Sequence, residues 1–150
     1  MLPKTELRYS WLYNSIYDKN FKEKDILRLK NKCSTFEKLY DRHIKEILRL
    51  IEKYFYKWEQ ENIVIYIIGK GPVFWDPLTI RHEDAKIMLI RLIHELMHNN
   101  ISHKKFKNAY LMHLYMDKKM KKILDELSFD LHGHFYICER MTEKFRKREK

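Results

Sequence analysis

The amino-acid sequence predicts an α+β domain in which helices near both ends of the chain accompany a small mixed β-sheet of short strands. Three features indicate this class: helical spacing of apolar residues over 36–55, a β-branched and aromatic segment at 62–68, and a second helical pattern over 83–99. The chain has 150 residues, of which 45% are hydrophobic, so it can bury a core of its own. We therefore treat 1–150 as a single domain, with 1–33 and 136–150 as candidates for peripheral segments.

The first strong pattern is an amphipathic helix in the N-terminal third. Apolar residues return there every three or four positions, and Ser34 with Glu37 forms a capping box just ahead of them. Residues 5–32 show a weaker pattern, from which we expect a short helix near 24–30 with irregular flanks.

The middle of the chain has the composition of strands. Residues 62–68 read Asn-Ile-Val-Ile-Tyr-Ile-Ile, which is typical of a buried strand, and a turn follows at 69–72. Val73, Phe74 and Trp75 form a short extended segment that Pro77 restricts to an edge. A third short strand is expected at 78–81.

Helical spacing returns from residue 83 to 99, where apolar residues occupy nearly every face. A helix of this kind is buried on all sides. Another helix is expected over 109–132, with Gly133 as a break before a final basic helix.

Composition also limits the location of the protein. No apolar run approaches eighteen residues, and the N-terminus lacks the apolar core of a signal peptide, so we expect no membrane span and no secretion signal. Two cysteines, Cys33 and Cys138, are too few for a disulfide framework. We expect a cytoplasmic protein with reduced thiols.

The charge balance favours contact with polyanions. Lys and Arg total 31 against 21 Asp and Glu, a net charge of +10. Such a surface predicts weak, non-specific nucleic-acid binding. The alternative is a solvated surface rich in Lys and Glu, since the basic residues are spread along the chain.

The motif with the clearest chemistry is His94-Glu95-Leu96-Met97-His98, an H-E-x-x-H on the buried helix. Residues i and i+4 of a helix share a face, so both imidazoles can bind one metal ion, and Glu95 can take a proton from a water on that ion. This predicts one Zn²⁺ ion. The alternative is two core histidines with ordinary hydrogen bonds.

A catalytic zinc ion needs a third protein ligand. The longer H-E-x-x-H-x-x-G-x-x-H pattern fails, because Ile101 and Lys104 occupy its last two defined positions, and His103 is one residue out of step. Glu126 and Asp130 are four apart on the next predicted helix. We predict that Glu126 is the third ligand and that Asp130 accepts a hydrogen bond from a ligating imidazole.

This combination resembles the gluzincin metallopeptidases, and by size and element order it is most similar to the minimal minigluzincins. Residues 35–135 carry the resemblance, with Asn100 standing where such motifs usually have an apolar residue. It implies a zincin-like fold in which a glutamate helix follows the active-site helix. It also implies a peptide or protein substrate, with Glu95 as general base and His94, His98 and Glu126 as zinc ligands.

The resemblance further assigns substrate binding to Val73, Phe74 and Trp75, which are similar to the rim strand of these enzymes. His134 follows Glu126 by eight residues and is a candidate to stabilise the oxyanion, as are Tyr110 and Tyr136. A chain this small forms a shallow cleft, so we expect low activity or latency.

Two alternatives remain open from the sequence. His132 or His134, close to Gly133 and Phe135, resembles the third ligand of SprT-like proteases, which use three histidines and act on DNA-associated proteins. The other alternative is a basic, non-enzymatic module that binds nucleic acid. The oligomeric state is not predicted.

Overall fold

The structure, a computed structural model, describes residues 1–101 and 106–129. These residues form an α+β fold with a mixed four-stranded sheet, which confirms the predicted class. In chain order the elements are β1 (Lys4–Arg8), α1 (Trp11–Tyr17), α2 (Asp25–Lys32), α3 (Ser34–Tyr54), β2 (Asn62–Ile68), β3 (Phe74–Trp75), β4 (Leu78–Arg81), α4 (Ala85–Ile101) and α5 (Ala109–Glu126).

The sheet has the strand order β1-β2-β4-β3. β2 pairs in parallel with β1 and with β4, whereas β3 pairs with β4 in the antiparallel sense and forms an edge. Alternate residues of β2, Ile63, Ile65 and Ile67, are buried, because successive side chains of a strand point to opposite faces. These three join apolar side chains of α3, α4 and α5 in one core.

The helix α1 lies on the opposite face of the sheet. The ring of Tyr13 contacts the ring of Tyr66, which alternates with the core residues of β2, at 4.7 Å between centroids. Asn14 is buried and donates to the carbonyl oxygen of Ile67 at 3.1 Å. The sheet is therefore covered by α3 and α4 on one side and in part by α1 on the other.

The helix predicted over 109–132 ends at Glu126, because the chain leaves the helical conformation at Ser128, which has a φ of 57°. Before residue 33, where the sequence predicted irregular structure on both sides of a single short helix, the structure has two further elements. Residues 4–8 form β1, and residues 11–17 form α1. β1 has polar residues at four of five positions and is held by its parallel ladder with β2, so no apolar pattern marks it. α1 is seven residues long, too short for a periodic pattern, and begins where Ser10 caps Tyr13.

Within the described part of the chain, none of the helices is both long enough and apolar enough to cross a membrane.

Candidate metal centre

The two motif histidines lie on α4, which is buried on nearly every side. The apolar residues that flank them are almost fully excluded from solvent; they are Leu92, Ile93, Leu96 and Met97. His94 is 5% exposed and His98 is 8% exposed. The Nε2 atoms of the two rings lie 3.0 Å apart, so both imidazoles are directed to the same point, as the H-E-x-x-H spacing predicts.

A third histidine joins them from α5. The ring centroid of His113 lies 5.6 Å from that of His94 and 4.9 Å from that of His98. Each of the three buried imidazoles offers a nitrogen within 4.8 Å of the other two. Among the described residues, no carboxylate or cysteine belongs to this group.

The orientation of His113 is set within its own helix. Its Nδ1 atom lies 2.8 Å from the carbonyl oxygen of Ala109, and a carbonyl can only accept, so Nδ1 carries the proton. The neutral ring then has its lone pair on Nε2. Such a bond from the second ring nitrogen is the usual way in which metal-binding histidines are oriented. α5 itself begins where the side chain of Asn108 caps the amide of Leu111 at 2.9 Å.

The donor set fits a zinc ion. Two nitrogens that each lie about 2.0 Å from a tetrahedral zinc ion are about 3.3 Å apart, close to the spacing of the His94 and His98 nitrogens. Imidazole suits zinc, copper, iron and nickel, whereas magnesium and calcium prefer oxygen ligands. The structure thus brings together three residues that could hold a transition metal ion.

Burial keeps the imidazoles of His94 and His98 neutral, which is the form that binds metals. Desolvation, followed by the charges of His98, His113 and Arg91, lowers the pKa of His94 to about 3. Desolvation, followed by the charge of His113, lowers the pKa of His98 to about 4. Protons therefore compete weakly for the nitrogens of His94 and His98 near pH 7.

Glu95 follows the first of the three histidines and is largely buried. Desolvation raises its pKa to about 7, and the positive charge of Arg91, one turn earlier on α4, opposes this rise. No described side chain donates a hydrogen bond to its carboxyl group, in contrast to Glu83, which binds Arg81 and Arg91. Glu95, next to His94 in the sequence, is thus a carboxyl group whose protonation changes near neutral pH.

The structure does not bring Glu126, the predicted third ligand, to the histidines. It lies 13 residues after His113 on α5, about 20 Å along the helix axis. Its carboxylate accepts bonds from Lys53 Nζ at 2.9 and 3.1 Å and from the hydroxyl of Tyr54. The hydrogen bond from Tyr54, then that from Lys53, lowers its pKa. Glu126 thus ties the end of α5 to the end of α3.

His113 is the residue that sequence reasoning missed. It occupies the first position of the buried stripe of α5, which continues through Met116, Met120 and Ile123. A histidine at the head of an otherwise apolar stripe was the available signal. Five residues that the sequence analysis considered lie outside the described residues: His103, Asp130, His132, His134 and Tyr136.

The predicted rim residues lie beside α4, the helix that carries the H-E-x-x-H motif. Phe74 and Trp75 form β3, the edge strand, and are 38% and 41% exposed. The carbonyl oxygen of Trp75 lies 3.4 Å from Nδ2 of Asn99, the residue after His98. Val73 packs against the core. The edge of the described sheet therefore runs next to the C-terminal half of α4, and its role in substrate binding stays a prediction.

Comparisons with known proteins give no further guide to this site. No protein-family description matches the chain, and neither a curated protein nor a solved structure shows significant similarity to it. The chemistry available to the site is therefore defined by the geometry of the three histidines and Glu95.

Proposed function

We propose that the protein is a zinc-dependent metallopeptidase in which His94, His98 and His113 hold one zinc ion and Glu95 is the general base. The observation that supports this is the group of three buried imidazoles within 4.8 Å of one another. Three protein ligands are typical of catalytic zinc, which keeps one position open, whereas structural zinc usually has four.

The proposed chemistry depends on the position of Glu95. When bound, a zinc ion on three neutral histidines supplies a Lewis acid that lowers the pKa of a coordinated water towards neutrality. Glu95 would accept the proton of the attacking water and pass it to the leaving amine. Its pKa of about 7 suits a group that both takes and returns a proton at neutral pH.

Substrate would bind along β3 as an added strand. β3 has β4 as its neighbour on one side in the described sheet, so its other edge can pair with an extended peptide. The contact between Trp75 and Asn99 sets this edge beside the helix that carries the motif. We propose an extended peptide or an unfolded protein segment as the substrate class.

In its third ligand the proposal departs from the gluzincins, which the H-E-x-x-H motif resembles. A third imidazole instead favours the three-histidine alternative, with His113 in place of His132 or His134. Action on DNA-associated proteins is supported only by the net charge of +10. A DNA affinity that falls steeply with salt, in a protein that also cleaves peptides, would favour this second candidate.

The decisive experiment compares zinc content and peptide cleavage in wild type, Glu95→Gln and Glu52→Gln. Glu52 lies on α3, and its substitution controls for the loss of one carboxylate. We expect Glu95→Gln to keep zinc and lose cleavage by at least about 100-fold, while Glu52→Gln keeps both. Undiminished cleavage by Glu95→Gln, or wild-type protein that takes up no zinc, would refute the proposal.

A further inference from the structure

A second candidate site lies at the other end of α4 from the histidine cluster. It is a cavity of about 310 Å³ where β2 and β4 end, next to α2. Gly69 and Lys70 directly follow β2, and His82 directly follows β4. The carboxyl ends of parallel strands are the usual place for ligand binding in sheets of this kind.

The loop 69–71, which contributes Gly69 and Lys70 to the lining, is held in place by contacts within the protein. The amide of Gly69 donates to Oδ1 of Asn14 at 2.8 Å, and Arg81 donates to the carbonyl oxygen of Gly71 at 3.0 Å. Gly71 has a φ of 126°, and a Cβ atom there would lie 2.7 Å from the ring of Tyr17. The loop therefore needs glycine at this position and is shaped before any ligand arrives.

Three basic side chains and one histidine belong to the lining. Arg28, Lys32, Lys70 and His82 border the cavity. Among the described residues, no carboxylate lies within 4.0 Å of the charged atoms of Lys32 or of the ring nitrogens of His82, whereas Lys70 and Arg28 each have one acidic neighbour.

The two carboxylates of the lining are already engaged. Asp18 accepts the amide of Asn20 at 3.2 Å and lies 3.3 Å from Lys70. Asp25 accepts the amide of Lys22 at 2.8 Å and lies 4.0 Å from Arg28. Both acids thus shape the 18–25 segment and offset the charges of Lys70 and Arg28, so Lys32 supplies the net positive charge of the described lining.

We propose that this cavity binds a small organic phosphate, with the phosphate among Lys32, Lys70 and His82. Phe21 and Leu29, which also line the cavity, offer an apolar wall to the organic part of the ligand. The volume lies at the lower end of the range for small-molecule sites. His94 is nine residues beyond Ala85, the first residue of α4, or about 14 Å along the helix. The site is therefore separate from the metal centre and does not depend on the proposed peptidase activity.

The test is calorimetric titration of the full chain with ADP, and with adenosine as the ligand that lacks phosphate. We expect ADP to bind and adenosine to bind at least about ten-fold more weakly. Lys32→Gln and Lys70→Gln should each weaken ADP binding by up to about five-fold, the scale of one exposed charge contact. Lys24→Gln removes a charge from the residue that precedes α2, outside the cavity lining, and should leave the affinity unchanged.

His98→Gln distinguishes the cavity from the metal centre, where a diphosphate could chelate a bound ion. ADP binding that survives in His98→Gln supports the cavity. Loss of binding in that variant would overturn the proposal, as would equal affinity for adenosine or an equal loss of affinity in Lys24→Gln.

Discussion

The imidazole of His113 donates its Nδ1 proton to the carbonyl oxygen of Ala109, one turn earlier in α5. Ala109 is the first residue of that helix, and Asn108 caps it. The direction of the third imidazole is therefore set by where α5 begins. A ligand positioned in this way can serve a metal centre only if the start of α5 and the second half of α4 stay together, as the ring contacts of His113 with His94 and His98 indicate.

The first prediction separates the two candidates for the third zinc ligand. His113→Gln should weaken zinc binding by more than about 100-fold, since even changes to groups that orient a ligand reduce metal affinity by 10- to 100-fold. Glu126→Gln should leave zinc affinity unchanged, because its carboxylate bonds to Lys53 and Tyr54 about 20 Å away along α5. Competition with a chromophoric chelator measures both. The opposite ranking would restore Glu126 as the ligand.

The second prediction concerns stability with and without metal. A ligand that binds the folded state at 100 times its dissociation constant stabilises it by about 2.7 kcal/mol. For a chain of this size that raises Tm by about 5–10 °C. Thermal unfolding followed by circular dichroism should show this rise when zinc is added to EDTA-treated wild type. His98→Gln serves as the control, and an equal rise in that variant would place the bound zinc elsewhere.

The third prediction is a pH dependence of the metal-free protein. The pKa values of His94 and His98 are lowered to about 3 and about 4 in the folded state, against about 6.5 in the unfolded chain. As pH falls from 7 to 5, the unfolded chain takes up protons at these positions and the folded protein does not. The two histidines should therefore lower the free energy of unfolding by on the order of 2 kcal/mol each. Glu95, whose pKa is raised to about 7 in the folded protein, takes up its proton in the folded state first and opposes part of this fall.

Urea unfolding of EDTA-treated protein at pH 7 and pH 5 measures this dependence. In the variant His94→Gln/His98→Gln the difference between the two pH values should shrink, whatever the variant's own stability at pH 7. An unchanged difference would show that other groups dominate the pH dependence.

Much of the fold could be predicted because its main elements carry their own periodicity. The helical spacing of apolar residues over 36–55 corresponds to α3. The β-branched segment corresponds to β2, and the apolar segment after residue 83 corresponds to α4. β1 could not be found in this way, because it exists through its ladder with residues 62–66 of β2. A strand that depends on a partner some 58 positions away, as Lys4 does on Asn62, leaves no local signal.

The metal centre, like the fold, could be predicted from the sequence only in part. His94 and His98 belong to one helix, so their spacing alone places them on one face. The third ligand depends on how α5 packs against α4, which no spacing within either helix specifies. The spacing of Glu126 and Asp130 suggested a metal-binding face, but the part of α5 that meets the motif is its beginning, where His113 lies.

The fourth prediction concerns Cys33, at the junction of α2 and α3, whose side chain is fully buried. Burial raises the pKa of its thiol to about 11, against a weaker opposing effect of the hydrogen bond with Tyr9. In a Cys138→Ser background the folded protein should react with iodoacetamide at pH 8 at least about 100-fold more slowly than the same protein in urea. Mass spectrometry follows the modification. Rapid reaction of the folded protein would mean that the α2–α3 junction opens readily.

The last prediction explains Asn100, which stands where an apolar residue was expected. Its side chain is buried and bonds to Tyr56 twice, accepting from the backbone amide at 3.2 Å and donating to the carbonyl oxygen at 2.9 Å. It thus ties the segment after α3 to the last turn of α4, two residues beyond His98. Asn100→Leu should lower the free energy of unfolding by about 1–3 kcal/mol, since it removes two hydrogen bonds from a buried position. Asn31→Leu, at an exposed position of α2, is the matched control, and urea unfolding measures both. If Asn100→Leu proved as stable as the control, the bonds to Tyr56 would not hold this turn, and the position of His98 would have to rest on apolar packing of α4 alone.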